Sequence, residues 1–355
     1  MTSMTFMAFR NSGTSMNSGI SMNSGISMNS GISGNSRISG ISGNSGTSGT
    51  ADRDATAVGV LGAAGLVGRP LVDLLAARGD DVVACSRSPD EPAAAARVLR
   101  CRPGDRVQVG GGVPRWVAVC PLWAVPEHLP WLESLGIRRL VAISSTSVIT
   151  KRRSPAAGER AVAERLATAE ADVAAWAAKR AVGVCLLRPT MIYDGRRDGN
   201  VAAIAAFVRR RGFFPLAGPA RGLRQPVHAA DVAAACSAAL DRHPLPRPIY
   251  TLSGGEPLPF RDLVAEVFAG CGMKPRIIHV PRWLVSLAAA LRGRGNATSL
   301  AGMAARMNED LAFDHAAAAH DLGFSPRSFS ARCVAAPAAA KPSAAASDRL
   351  DEPPA

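Results

Sequence analysis

The chain has 355 residues, a formal net charge of +13 at pH 7 and only 5% aromatic residues. Arginines carry most of this charge, and because they are scattered and not interleaved with aromatic side chains, they argue against a nucleic-acid-binding protein. No run approaches the about 20 apolar residues of a membrane-spanning helix. The longest apolar candidate, residues 283–291, is flanked by arginines and fits a core or lobe-packing helix better than one lying on a membrane surface.

Both ends of the chain have the composition of disordered segments. Residues 1–54 contain a six-residue unit, Ser-Met-Asn-Ser-Gly-Ile, which is clearest at 15–20, 21–26 and 27–32. These copies are too few and too polar to bury a core, so we expect disorder; an over-extended gene start would give the same pattern. The tail at 331–355 is expected to be disordered too. The remaining part, about 275 residues, suits one large α/β domain with a smaller lobe.

The seven cysteines show neither a C-x-x-C pair nor a nearby histidine at metal-ligand spacing, so they predict no metal site. Several lie inside apolar, strand-like runs, where a free cysteine behaves as a small hydrophobic residue. This usage is typical of a reducing compartment, and we therefore expect a cytoplasmic protein.

A glycine-rich turn near the start of the folded region organises the rest of the sequence. The apolar run 57–61 is followed by three glycines at G-x-x-G-x-x-G spacing, Gly62, Gly65 and Gly68. Leucines and valines then recur at helical spacing as far as Gly79, which suits a helix C-cap. Glycines between a strand and a helix let a dinucleotide pyrophosphate approach the backbone, where the first amides of the helix are unpaired. The pattern predicts a dinucleotide site on a Rossmann-type, doubly wound parallel sheet.

The second strand, expected at 81–86, ends where cofactor preference is decided. An acidic residue at this end binds the adenosine ribose and excludes a 2′-phosphate, whereas an arginine admits the phosphate. Ser86 and Arg87 stand at this end, and the acidic pair Asp80 and Asp81 stands at the other. The sequence therefore predicts NADP as the preferred cofactor, with NAD as the alternative.

The remaining elements complete a nucleotide-binding domain at 55–190 and a segment at 191–330 that finishes the sheet and forms a substrate lobe. Few good helix formers separate the third and fourth strands, so the helix usual at that point is expected to be short or absent. Further strands are expected at 96–102, 116–120, 139–145, 182–187 and 248–252. Helices are expected at 126–135, 158–179, 201–211 and 260–268, with another starting at Val232.

Three further motifs follow the glycine turn. Residues 144–150 (SSTSVIT) are similar to S-S-x-x-V-Y-G, and residues 188–193 (RPTMIY) to R-P-x-x-x-Y-G, with Asp194 in place of the last glycine. Residues 224–231 (RQPVHAAD) are similar to R-D-Y-I-H-V-x-D. In this order the four motifs resemble the extended short-chain dehydrogenase/reductase superfamily, in particular its NAD(P)-dependent sugar-nucleotide epimerase/dehydratase group.

The resemblance fails at the catalytic dyad. The family's acid/base is a tyrosine four residues before a lysine, which brings the pKa of the phenol nearer to the working pH. Aligning Glu164 on the glutamate that follows this motif puts Ala156 and Arg160 at the two positions. An alanine cannot transfer a proton, and an arginine keeps its charge at any working pH.

The motifs and the resemblance together give the candidate site residues. Ser145 falls on the family's catalytic serine or threonine, Lys151 is the best-placed substitute acid in the sequence, and Tyr193 is the second. The resemblance implies that Thr146, Asn200 and Arg224 bind substrate, the arginine through phosphates. The candidate cofactor-binding residues are Gly62, Gly65, Leu66, Val67, Gly68, Ser86, Arg87, Pro121, Ser144 and Pro189.

Three interpretations of the function remain open at this point. The first is an atypical enzyme acting on a nucleotide-sugar or a similar hydroxylated or phosphorylated substrate, and the retained substrate-side residues favour it. The second is a non-catalytic NADP(H) sensor or accessory subunit, roles that members of the superfamily do fill. The third, a nucleic-acid-binding module, is disfavoured by the scattered charge. The expected partners are a small-molecule substrate and, as an open alternative, a second copy of the chain.

Overall fold

The computed structural model describes residues 57–87, 98–105, 112–242, 244–281 and 306–331. These residues belong to one compact unit, Thr50–Ala355. The six-residue repeat, the apolar candidate helix at 283–291 and the tail beyond Ala331 lie outside the described residues, so the predictions for them stay predictions. Within the described ranges no helix is long and apolar enough to cross a membrane.

A seven-stranded, fully parallel sheet forms the centre of the fold, in the order β3-β2-β1-β4-β5-β6-β11. Its inner strands are short apolar runs, as expected where helices cover both faces of a sheet. This confirms the predicted Rossmann-type α/β fold. The strands are β1 Ala57–Leu61, β2 Asp81–Cys85, β3 Val98–Cys101, β4 Arg115–Ala118, β5 Arg139–Ile143, β6 Gly183–Pro189 and β11 Ile249–Leu252.

Helices pack on both faces of this sheet. One face carries a core that includes Leu71, Val232 and Leu322, from three different helices. The other face carries a core around Trp116, which is fully buried, and Leu166. The helices are α1 Gly68–Ala77, α2 Leu129–Ser134, α3 Ser147–Thr150, α4 Ala157–Arg180, α5 Val201–Arg211, α6 Ala229–Asp241, α7 Phe260–Gly270 and α8 Ala316–Leu322.

A smaller lobe is built from α5, α7 and three two-stranded pairs. Its core is a separate cluster that includes Tyr193, Val208 and Phe268. The pairs are β7 Ile192–Tyr193 with β10 Val227–His228, β8 Phe214–Ala217 with β13 Ile277–Val280, and β9 Leu223–Arg224 with β12 Leu258–Pro259.

Two helices begin three residues away from their predicted starts. The helix expected at 126–135 is interrupted: two 3₁₀ turns, Leu122–Ala124 and Pro126–His128, precede α2. Proline lacks an amide donor and is tolerated only in a first helical turn, so two prolines in five residues break this segment up. Helix α6 begins at Ala229, before the predicted Val232, because the His228 side chain accepts a hydrogen bond from an amide of its first turn.

One pair of cysteines departs from the prediction of free thiols. Cys85 and Cys101 end β2 and β3 as register partners with a Cα–Cα distance of 4.8 Å, and the structure joins them in a disulfide. Cysteine spacing alone could not reveal this pair, because parallel pairing brings together residues that are 16 apart in sequence. The free cysteines in the described ranges are Cys120, Cys185, Cys236 and Cys271.

Candidate cofactor and active site

The strand order creates a crevice at the carboxyl end of the sheet. β1 lies between β2 and β4, so the chain turns in opposite directions on the two sides of β1. In α/β sheets a ligand binds outside the strand ends at such a switch point. The register places Leu61 level with Cys85 on one side and Ala118 on the other, so residues 62, 86 and 119 leave the sheet at the same edge.

The glycine turn leaves β1 at this edge and needs its glycines. Gly62 has φ +93°, and a Cβ on it would lie 2.7 Å from the Cys120 nitrogen. A Cβ on Gly68 would lie 2.3 Å from the Gly62 carbonyl oxygen. The amides of Gly62 and Ala63 both donate to the Cys85 carbonyl, at 2.8 and 3.0 Å. The first and third glycines are therefore required by the backbone of the turn itself.

The amides that follow are available to a ligand. Among the described residues, none accepts a hydrogen bond from the Leu66 or Val67 amide, whereas the Gly65 amide donates to the Gly62 carbonyl. Val67 is the N-cap of α1, so these free amides stand at the positive end of the helix dipole. Free amides, a helix N-terminus and space for a close approach are what a pyrophosphate requires, so these residues fit a dinucleotide cofactor.

The end of β2 presents the residues that are predicted to discriminate between NAD and NADP. Ser86 is buried and its amide donates to the Cys101 carbonyl, whereas Arg87 is exposed. Burial raises the pKa of the Cys120 thiol to about 11, and the nearby charge of Arg87 opposes this rise. The Arg87 guanidinium is therefore within electrostatic reach of the end of β4. Pro121, which follows Cys120, is exposed at the same edge.

At the end of β5, Ser144 belongs to a buried polar network. Its hydroxyl donates to Glu170, a carboxylate of α4 with 9% side-chain exposure, and Arg188 of β6 pairs with the same carboxylate. The Ser144 hydroxyl therefore already has a protein partner, and its assignment to the cofactor stays a prediction. Sequence reasoning missed Glu170, because one glutamate among the charged residues of a long helix gives no signal of burial.

The next two hydroxyl residues are fixed by the backbone of the turn. Thr146 is buried, and its amide and hydroxyl both donate to the Pro189 carbonyl, at 3.1 and 3.2 Å. The Ser145 hydroxyl accepts from the Ser147 amide, at 3.1 Å, just before the single turn of α3. Ser145 is only partly buried and keeps its own proton available for donation. The substrate-binding assignment of Thr146 stays a prediction.

Lys151 is the C-cap of α3. Its amide donates to the Ser147 carbonyl, and its side chain is half-buried with no hydrogen bond or ion pair in the described part of the chain. Burial lowers the pKa of the Lys151 amine, and the positive charge of Arg306 lowers it further. Arg306 itself pairs with Glu159 at the start of α4. Arg306 lies 155 positions further along the chain, so only the fold reveals its effect on the pKa of Lys151.

Tyr193, the second candidate acid, lies in the core of the lobe. It is 1% exposed and makes edge-on ring contacts with His228 and Phe329, at centroid distances of 5.2 and 5.0 Å. Burial lowers the pKa of His228, whose neutral ring accepts a hydrogen bond from the Ala230 amide. In this arrangement Tyr193 is part of the lobe core and has almost no exposed surface. A packing role is therefore the alternative to its predicted catalytic role.

The two remaining substrate candidates have different surroundings. Asn200 is exposed at the N-cap of α5, but Asp198 caps the helix, accepting from the amides of Asn200 and Ala202 at 2.9 and 3.1 Å. Arg224 is 7% exposed, and its guanidinium donates to the carbonyls of residues 223, 306 and 309. Arg224 therefore anchors the backbone around 306–309. Its assignment to substrate phosphates stays a prediction, because the guanidinium already donates to these carbonyls.

The absence of a tyrosine–lysine dyad does not depend on the alignment. Helix α4 contains no tyrosine, and its one lysine, Lys179, is exposed in the last turn. Glu164, on which the family alignment was based, is also exposed, and Ala156 is the buried N-cap of α4. Whichever register relates α4 to the family helix, it cannot supply the usual pair.

No protein-family model matches the chain, and no curated protein matches it significantly. Solved structures do match. MoeE5 in complex with UDP-glucose and NAD has a TM-score of 0.53 at 20% identity, and the match covers 78% of this chain and 95% of that one. UDP-N-acetylglucosamine 4-epimerase from Bacillus cereus has a TM-score of 0.56 at 15% identity, covering 78% and 93%. UDP-glucuronic acid 4-epimerase from Bacillus cereus in complex with NAD has a TM-score of 0.55 at 14% identity, covering 76% and 93%. At these identities the likeness establishes a shared fold.

Proposed function

We propose that this protein is an NAD(P)-dependent epimerase, dehydratase or reductase that works without a tyrosine–lysine dyad. The observation that carries the proposal is that two segments follow strands of one parallel sheet: the glycine turn with its free amides after β1, and a half-buried lysine after β5. This lysine makes no hydrogen bond or ion pair in the described part of the chain. A site whose lysine has a lowered pKa is a candidate for proton transfer. A protein that only sensed the cofactor would have no need for this lysine.

The glycine turn, the Leu66 and Val67 amides and the end of β2 would hold the cofactor. We propose NADP as the preferred form, because Arg87 is exposed at the strand end where a 2′-phosphate would lie. NAD stays the alternative, and NAD is bound in the MoeE5 complex and in the UDP-glucuronic acid 4-epimerase complex.

Lys151 and Ser145 are the proposed chemical groups. When bound, the nicotinamide would supply or accept the hydride. In the oxidative direction the neutral Lys151 amine takes the proton of a substrate hydroxyl and becomes ammonium, which later returns the proton. Ser145 donates a hydrogen bond to the same oxygen and holds it beside the lysine. The low pKa that burial and Arg306 impose keeps a larger share of Lys151 neutral near pH 7.

The proposed substrate is a nucleotide-sugar or a similar hydroxylated, phosphorylated compound. The three solved structures described above bind a UDP-sugar or are named as UDP-sugar epimerases, and this chain shares their fold. Asn200 is the predicted substrate residue whose side chain is exposed. The division at residues 190 and 191 into a nucleotide-binding part and a substrate lobe belongs to the same proposal.

A two-step experiment tests the function. NADPH and NADH binding is measured first by fluorescence, and a panel of UDP- and TDP-sugars is then screened for epimer or dehydration products. We expect cofactor binding followed by product from at least one sugar. Tight cofactor binding with no turnover across the panel would instead support the sensor, and no cofactor binding would overturn both.

A further inference from the structure

A groove of about 1050 Å³ lies between α3 and α4 on one side and the sheet edge of β6 and β11 on the other. Successive strand residues alternate between the two faces of a sheet. Val184 and Leu186 therefore point to the α4 side, whereas Cys185 and Leu187 join the core under α6. In the described part of the chain, the lining comes only from α3, α4, β6, β11 and the turns next to them.

The groove has an apolar half. Three alanines of α4, Ala167, Ala171 and Ala174, are exposed along it at a spacing of about one helical turn. They face Val184 and Ile249, which are only partly buried. Small side chains on the helix opposite branched ones on the strands leave an open apolar channel where a larger helix residue would have filled the gap.

The other half is cationic. Arg152 and Arg153, in the turn after α3, line this end and are exposed, and neither makes a hydrogen bond or ion pair among the described residues. Arg188 and Glu170 line the floor as an ion pair. Three guanidinium groups thus meet one carboxylate, which Arg188 and Ser144 already engage. A ligand would find a positive potential here and no free anion.

The two halves lie in sequence along β6. The strand runs from the apolar end at Val182 to Arg188, a rise of about 20 Å at about 3.3 Å per residue. The volume is at the upper limit of common ligand pockets, about 300–1,000 Å³, which are mostly apolar with a few polar groups. An apolar channel that ends in guanidinium groups is complementary to a molecule with an apolar tail and an anionic head group.

We propose that this groove binds an amphipathic anion with a linear aliphatic tail. Its carboxylate or phosphate head would pair with Arg152 and Arg153, guanidinium groups being suited to bidentate binding of either anion. The tail would lie along the alanines of α4, against Val184 and Ile249. The lining includes no residue of the glycine turn or of the end of β2, and the proposal does not depend on the proposed enzymatic function.

The test is isothermal titration of the full chain with dodecanoate, dodecyl phosphate and dodecanol, all below their micelle concentrations. At least one anion should bind with micromolar affinity, at least tenfold more tightly than the alcohol, and the stronger of the two identifies the head group. The double variant R152A/R153A should weaken this binding at least tenfold. The matched control R210A/R211A, which removes two exposed arginines of α5, should leave it unchanged.

A second pair of variants tests the channel. A171W should block the tail and abolish binding, whereas A161W, which changes an exposed alanine of α4 outside the groove, should bind like the parent. Circular dichroism confirms folding of each variant, and the arginine variants keep the test valid if A171W misfolds.

Equal binding of alcohol and anions, no binding, or an unchanged affinity in R152A/R153A would overturn the proposal. Sedimentation velocity that shows a dimer lost in A171W would assign the groove to a second copy instead.

Discussion

The two sides of the crevice satisfy their polar groups differently. On the β1–β2 side, the glycine turn leaves amides such as those of Leu66 and Val67 without partners among the described residues, and its side chains are apolar or absent. On the β5–β6 side, Ser144, Glu170 and Arg188 satisfy one another in a buried network. The backbone of the first side can bind an anionic ligand, because free amides beside a helix N-terminus stabilise an anion. The second is a rigid frame that leaves Lys151 as the half-buried charge without a partner in the described part of the chain.

Breaking the frame should have the largest effect. Glu170→Gln leaves Arg188 largely buried without a counter-charge, and removing one partner of such a pair costs about 3 kcal/mol or more of unfolding free energy. Urea denaturation measures this loss. Glu164→Gln, on the exposed face of the same helix, should change stability by less than about 0.5 kcal/mol. Equal effects of the two substitutions would show that the network does not stabilise the fold.

Closing the glycine turn should come next. Gly68→Ala drives a Cβ into the carbonyls of Gly62 and Ala63, and overpacking of this kind costs about 3 kcal/mol. Because the turn must shift, we also expect about a hundredfold weaker NADPH binding, or about 2.7 kcal/mol. Gly158→Ala is the matched control in the first turn of α4, where a Cβ meets nothing within 4 Å and a slight stabilisation is expected. Unchanged cofactor affinity in Gly68→Ala would contradict the assignment of the turn.

Removing the unpartnered lysine tests the chemistry without touching the fold. Lys151→Met should lower kcat/KM about a hundredfold while cofactor affinity stays nearly unchanged. Because the neutral amine is the base, activity should rise with pH up to a pKa below the ordinary lysine value, and this limb should vanish in the variant. Lys179→Met, in the exposed last turn of α4, is the control. A variant that keeps both the rate and the pH limb would exclude Lys151.

Reversing the charge at the end of β2 should have the smallest effect. NADP(H) should bind at least tenfold more tightly than NAD(H), about 1.4 kcal/mol, and Arg87→Asp should abolish or invert this ratio. Arg102→Asp, at an exposed position after β3, controls for the general change in charge. Calorimetric titration of both cofactors with each variant measures the ratios. An unchanged preference in Arg87→Asp would move the phosphate site elsewhere.

Local pattern was enough to predict the sheet and the glycine turn. Each signal lay within a short window: the apolar run before Gly62, the glycine spacing, and the hydroxyl residues after β5. The helix at 201–211 and the strand at 57–61 have the predicted bounds, and the other six strands of the sheet differ from theirs by one or two residues at their ends. The absence of a tyrosine in α4 was likewise readable from the chain, because composition alone decides it.

Only the tertiary structure decided how the polar residues are used. Glu170 and Glu164 are six positions apart on one helix, yet one is buried against Arg188 and the other is in water. The pKa of Lys151 is lowered by burial and then by Arg306, which folding brings from 155 positions away. Burial and electrostatic coupling depend on the distances between helices and strands, and local sequence patterns do not give these distances. The sequence therefore determined where a cofactor can approach the backbone, and the fold determined that Lys151 is half-buried with no partner in the described part of the chain.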